Sequence, residues 1–247
     1  MAAADAMPPS PGDDDRPVLG PAELLGPVGA DLPPLPPSAV VVFDHTHRTG
    51  RAIRRHRWPF RMVSLPTPEL AIVVAGGPGA PTAAVTVEML GHLRVEQMVV
   101  VGVCGSLGRM PLATGDLVVG QRAISDDGTA PRYPEPPEPA AGLTALAAEM
   151  SEARSVTTVS TDVPFRHTAR TIAAFAEQAD VIEMEAAAVF AAARTVGVEA
   201  AALLAVSDHY HGDGWRLGDR GAVTASARHA VGVASQTLLR RAGERPV

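Results

Sequence analysis

The stretch VIEMEAAAVFAAARTVGVEAAALLAVSD, residues 181–208, decides the fold. It opens as a short apolar strand and turns at Glu183-Met184-Glu185 into an alanine-rich helix. Past Gly197 it runs into VEAAALLAV, whose uninterrupted apolar run marks a strand covered on both faces. Strand, helix and strand within so few residues is the unit of a layered α/β fold.

The same alternation extends in both directions. Upstream, apolar runs at AVVVF (39–43), LAIVVAGG (70–77), VEQMVVVGVCGS (95–106), GDLVVGQRAI (115–124) and SVTTVST (155–161) read as strands. PTAAVTVEMLGHL (81–93), with proline at its start, reads as a helix, as do RAIRRH (51–56), LTALAAEM (143–150) and ARTIAAFAEQ (169–178). Downstream, residues 222–241 form a closing helix with apolar residues at three- and four-residue spacing. Ten of the 23 prolines precede position 38, which excludes a helix or central strand there. Residues 1–37 are therefore expected to be a proline-rich tail and lead-in, and 38–247 the folded domain.

Composition narrows the function. The 247 residues carry 21 basic side chains, all arginine, against 27 acidic ones, a formal net charge of −6. That balance argues against a nucleic-acid or anionic-membrane surface, and the lack of lysine excludes a Schiff base and a P-loop lysine. The single cysteine, Cys104, excludes an internal disulfide, and it is expected as a small buried hydrophobe. No secretory signal and no membrane span are expected, which implies a cytoplasmic protein.

Ligands of α/β folds collect at the carboxyl ends of strands. There this chain carries Asp44-His45-Thr46-His47-Arg48, Gly76-Gly77-Pro78-Gly79, Gly102-Val103-Cys104-Gly105-Ser106, Glu183-Met184-Glu185 and Ser207-Asp208-His209-Tyr210. Two carboxylates at 183 and 185 suit the hydroxyls of a sugar, although acids at a helix start also complement its dipole. Asp208, ending the most apolar strand, is placed to donate a proton or to cap a turn. GGPGAPT offers GxG but has Thr82 where a dinucleotide loop needs its third glycine. The H-x-H pairs at 45/47 and 209/211 lack the spacing of a closed zinc site, so no metal is expected. Asp213-Gly214-Trp215-Arg216 reads as a lid over the site or as a surface loop with one packed tryptophan.

Together these segments resemble the nucleoside phosphorylase superfamily: the purine nucleoside and uridine phosphorylases and the methylthioadenosine/S-adenosylhomocysteine nucleosidases. The resemblance covers about residues 38–240. It rests on E-M-E-A (183–186) followed by S-D (207–208), on VVVGVCGSLGRMPLATGDLVVGQRAISDDGTAPRY (99–133), and on AGGPGAPTAAVTVEML (75–90). It implies a single α/β domain with a mixed, partly barrel-like sheet flanked by helices. It also implies cleavage of the N-glycosidic bond of a nucleoside, a purine one by preference.

On the matching positions, Glu185 would grip the ribose hydroxyls and Met184 would pack beneath the sugar. Ile182 and Phe165 would sandwich the base, and Asp208 would protonate it. Glu183, Cys104, Gly105, Ser207 and Tyr210 complete the expected substrate surface. No cofactor is implied beyond inorganic phosphate as co-substrate, and a homo-oligomer, a dimer or hexamer, is expected. The chain departs from the pattern where phosphate binds: Val100 and Val103 stand in place of the usual arginine and hydroxyl. Arg48, Gly77 and Ser106 are the remaining candidates for holding phosphate or water. Hydrolysis therefore stands as the alternative to phosphorolysis, with Asp44 or His45 activating water.

Overall fold

Buried valine and alanine runs become the strands that the rest of the chain is built on. The computed structural model describes residues 19–23, 34–43, 54–55, 60–211 and 214–243. The chain divides into two units, Met1–Leu32 and Pro33–Val247. In the first, a single helical turn at 21–23 is described, with the Gly20 amide donating to Glu23 Oε2 at 3.0 Å.

The second unit runs β1 (Ser38–Val42), β2 (Arg54–Arg55), β3 (Phe60–Thr67), β4 (Leu70–Ala75), α1 (Ala80–His92), β5 (Gln97–Ser106), β6 (Leu117–Asp126), α2 (Ala141–Ser151), β7 (Arg154–Thr161), α3 (Ala169–Ala176), β8 (Val181–Glu183), α4 (Ala186–Thr195), β9 (Glu199–His211), β10 (Gly214–Leu217) and α5 (Arg220–Gly243). These strands form one sheet in the order β10-β9-β6-β7-β8-β5-β1-β4-β3-β2. A further pairing of β9 with β5 closes β5, β9, β6, β7 and β8 into a ring. Pairing is mixed: β5 with β9, β6 with β7 and β7 with β8 are parallel, whereas β6 with β9 and β5 with β8 are antiparallel. The expected mixed, partly closed sheet is what forms.

Burial explains which strands take the middle. β1 is buried at every residue and lies between β4 and β5, with Val40 paired to both Ile72 and Val99. Its face joins Val99, Leu203, Ala234 and Leu238 in one apolar cluster, which α5 and α2 cover. α4 is buried throughout Ala186–Ala193, because alanines let a helix lie close to its neighbours, and it packs against α1. Phe190 at its centre is wholly buried, which stabilises the fold by about 1.5–3 kcal/mol.

Besides the helical turn at 21–23, which has Pro21 at its start where a missing N–H costs nothing although no helix is expected there, three elements differ from the sequence reading. Arg54–Arg55, expected in a helix, form β2 antiparallel to β3; residues 51–53 and 56 lie outside the described residues. β3, FRMVSLPT, carries an arginine and Pro66 in an otherwise alternating run. Its register slips between Ser64 and Thr67, where proline has no N–H to donate. β10, exposed at all four residues, shows no buried face that a hydropathy pattern could reveal. Among the described residues no helix is long and apolar enough to cross a membrane.

Candidate active site

A cavity of about 180 Å³ opens where the ends of β1, β5, β7, β8 and β9 meet. Its wall includes Phe43, Val103, Cys104, Gly105, Thr161, Ile182, Glu183, Met184, Glu185, Ser207, Asp208 and Tyr210. A larger hollow of about 610 Å³ lies beside Pro136–Pro139, but its one acid, Glu138, is paired with Arg194. Convergent chemistry rather than volume identifies the first as the candidate site.

The two glutamates at the β8–α4 junction have separate tasks. Glu183 Oε2 accepts from the amides of Glu185 and Ala186, each at 2.7 Å, and the Ser160 hydroxyl donates to Oε1. Ser160 in turn accepts from the Ala187 amide at 2.9 Å. Glu183 thus satisfies orphan donors at the start of α4, as an acid at a helix N-terminus should. Burial pushes its carboxyl up, against the pull of these hydrogen bonds.

Glu185 reaches the other way. Its Oε1 accepts from the Gly79 amide at 2.6 Å, across 106 residues of sequence. Gly79 has φ 102°, the left-handed region that favours glycine, so the turn aiming this amide depends on it. Burial first, and the Glu183 charge second, raise the Glu185 carboxyl from 4.5 to about 7. One amide of the glycine turn is thereby committed to a side chain of the protein rather than to an external anion.

The opposing acid is placed by an irregularity in β9. Cys104 pairs with Val206, but the next residue of β5, Gly105, pairs with Asp208, so Ser207 is an extra residue in a β-bulge. Bulges re-aim side chains next to active sites. Here the Ser207 hydroxyl lies 2.5 Å from Asp208 Oδ1 and 3.2 Å from the Cys104 carbonyl, able to donate to either. Trp215 Nε1 donates to Asp208 Oδ2 at 2.7 Å. A Cβ at Gly105 would sit 2.7 Å from the same Oδ2, so any other residue there would push the carboxylate from this position.

Around these acids, Ile182 is buried and Met184 half-buried. Cys104 is buried, and desolvation, then Glu183 and Asp208, hold its thiol protonated. Burial and then the Asp208 charge raise the Tyr210 phenol.

Other candidates lie elsewhere. Phe165 is 99% exposed and outside the cavity wall, because the short 3-10 turn Pro164–Arg166 presents Pro164 to the cavity instead. Ser106 is buried and accepts from the Gly108 amide at 3.3 Å, and neither it nor Gly77 lines the cavity. Val100 is buried within β5, while Val103 reaches the cavity wall. Arg48, with Asp44, His45, His47 and Asp213, lies outside the described residues. His209 Nε2 lies 3.0 Å from Thr114 Oγ1, and its ring stacks on His211 at 5.8 Å. Among the described residues no three His, Cys, Asp or Glu side chains cluster as metal ligands would.

Sequence reasoning missed Phe43, Thr161 and Pro164. Phe43 had a signal, as the last residue of an apolar strand whose neighbours end at the site. Thr161 was similarly placed, ending β7 beside β8.

Known proteins share this fold. A relative, the guanosine phosphorylase of Halorubrum lacusprofundi, is 34% identical over 143 residues, covering 54% of this chain and 59% of the relative's length. Purine nucleoside phosphorylase from Toxoplasma gondii, in complex with immucillin-H, superposes with TM-score 0.70 at 18% identity, covering 84% of this chain and 93% of that one. Uridine phosphorylase from Vibrio fischeri gives 0.68 at 18% identity over 83% and 92%. AMP nucleosidase from Bacteroides thetaiotaomicron gives 0.65 at 15% identity over 85% and 91%. The family model of the phosphorylase superfamily matches residues 25–241, and the chain belongs to that superfamily.

Proposed function

We propose that this protein cleaves the N-glycosidic bond of purine nucleosides by phosphorolysis. The observation that carries the reading is the pairing of Asp208 and Glu185 in one cavity wall. Ribose becomes oxocarbenium-like as the bond breaks, and the departing base gains electron density. Proton donation to the base and a carboxylate near the sugar are the two groups that such a transition state rewards.

In this reading Glu185 accepts hydrogen bonds from ribose hydroxyls, held in place by the Gly79 amide. A phosphate oxygen attacks C1′, and the C1′–N9 bond breaks with its electron pair leaving on the base. The Asp208 carboxyl gives its proton to N7. The products are ribose 1-phosphate, free purine and the Asp208 carboxylate, which takes its next proton from solvent. Ser207 serves both states: its hydroxyl donates to the carboxylate, and turns to the Cys104 carbonyl when Oδ1 carries the proton. The guanosine phosphorylase relative supports both phosphorolysis and a purine base. The reading extends to a cytoplasmic homo-oligomer, as the resemblance implies.

Hydrolysis is the second reading, favoured by one observation. Val100 is buried and Val103 is an apolar part of the cavity wall, so these two positions supply no charge to a dianion. Base release from a set of purine nucleosides, measured with and without inorganic phosphate, separates the two. Release that requires phosphate supports phosphorolysis, and equal release without it establishes hydrolysis.

A further inference from the structure

We propose that the hollow between β6, Pro136–Pro139 and the start of α2 binds a phosphate monoester that carries a planar ring, the chemical class of a nucleoside monophosphate. This site is separate from the cavity of Asp208 and Glu185, with which it shares no wall residue.

Strand pairing creates the hollow. β6 pairs with β9 only over Leu117–Val119. Beyond that point β9 is met by the lead-in to α2, where the Ala140 amide donates to the Ala200 carbonyl at 2.8 Å. The space left beside β6 measures about 610 Å³, within the range of small-molecule sites. β6 also carries a bulge here: Gly120 pairs with Val156 and Arg122 with Thr157, so Gln121 is an extra residue. Strict alternation would turn one of Gln121 and Arg122 inward, whereas the bulge leaves both exposed and in the wall of the hollow.

Three donors converge there. Among the described residues no carboxylate pairs with Arg122, and the one carboxylate of the wall, Glu138, faces Arg194 at 3.2 Å. α2 begins in the same wall without a cap: no side chain accepts from its first-turn amides and no acid stands among them, so the positive end of its dipole is open. Thr144 lies one turn on, on the same helix face as Ala141. It is only 7% exposed, and its hydroxyl has no partner among the described residues, not even the carbonyl four residues back. A buried hydroxyl left in this state is penalised until a ligand completes it, and a helical threonine has two χ1 rotamers through which to reach one. The three terminal oxygens of a phosphate monoester can meet the Arg122 fork, the α2 amides and this hydroxyl together, whereas a carboxylate has only two. Pro136, Pro137 and Pro139 supply an apolar side for a flat ring, and the Gln121 amide offers its edge both a donor and an acceptor.

The test is calorimetric titration of the full chain with guanosine 5′-monophosphate, guanosine and inorganic phosphate, in the wild type, Arg122→Met and Thr144→Val. The monophosphate should bind saturably. Arg122→Met should weaken it about tenfold or more, and Thr144→Val, which keeps the shape without the hydroxyl, about threefold. Both variants should keep the wild-type thermal midpoint, guanosine binding and purine release within about twofold, because neither residue lines the Asp208 cavity. No saturable binding of the monophosphate, or binding unchanged in Arg122→Met, overturns the proposal. Inorganic phosphate binding as tightly as the monophosphate, with the same dependence on Arg122, overturns the assignment of a ring-bearing ligand. Because binding is read without turnover, a chain that releases no purine overturns the proposed function and leaves this result standing.

Discussion

The β8–α4 end and the β9 end of the cavity, the proposed sugar and base ends, are built in opposite ways. At the β8–α4 junction, Glu183 and Glu185 are buried and held by backbone amides and Ser160. At the end of β9, Asp208 is half-buried and gripped by Ser207 and by a tryptophan on an exposed hairpin strand. One end is fixed by elements whose unfolding would break the core, and the other by contacts that substrate can replace. Under the proposed function this sets a preorganised ribose grip beside an adjustable base grip.

The largest effect should come from the adjustable end. Asp208→Asn removes the proton donor and should lower kcat about 10²–10⁴-fold, with KM for the nucleoside changed much less. Steady-state kinetics with inosine measure this. Gly105→Ala should follow: its Cβ would lie 2.7 Å from Asp208 Oδ2 and displace the acid without touching its chemistry. A misplacement of this kind costs up to about 100-fold in kcat, with the thermal midpoint little altered.

The fixed end should respond in pH and in binding. In its proposed role Glu185 would accept ribose hydroxyls best when ionised, so kcat/KM should rise as pH increases through about 7. Stability should run the opposite way. A buried carboxyl raised from 4.5 to about 7 favours folding below its unfolded range and loses that contribution as pH rises through about 7. Glu185→Gln should flatten this loss, measured by denaturant unfolding between pH 5 and 8 (about three units of pH), and should raise KM. The smallest effect on turnover belongs to Glu183→Gln, whose amide nitrogen would set a donor against the α4 amides. It should reduce stability by about 1–3 kcal/mol, read in the same unfolding assay.

The sequence revealed most where burial is continuous. β8, α4 and β9 follow from 181–208 because their apolar runs are uninterrupted and end in acids, and those acids line one cavity. β10 was hidden because four exposed residues carry no periodic signal, and its Trp215 could be read only as a lid or a surface tryptophan. The Gly79–Glu185 bond joins positions 106 residues apart, which no local pattern encodes. Phe165, expected against the base, is exposed and Pro164 lines the cavity, because a single 3-10 turn decides which of two neighbours faces inward. The bulge at Ser207 is likewise a property of pairing, not of either strand alone.

The central claim is that Asp208 gives a proton to N7 of the leaving purine. N7-methylguanosine already carries the positive charge that this proton would supply. Asp208→Ala, which also leaves room for the methyl group, should lose about 10²–10⁴-fold in turnover of guanosine and retain most of the wild-type turnover of N7-methylguanosine. An equal loss on both substrates would contradict the account.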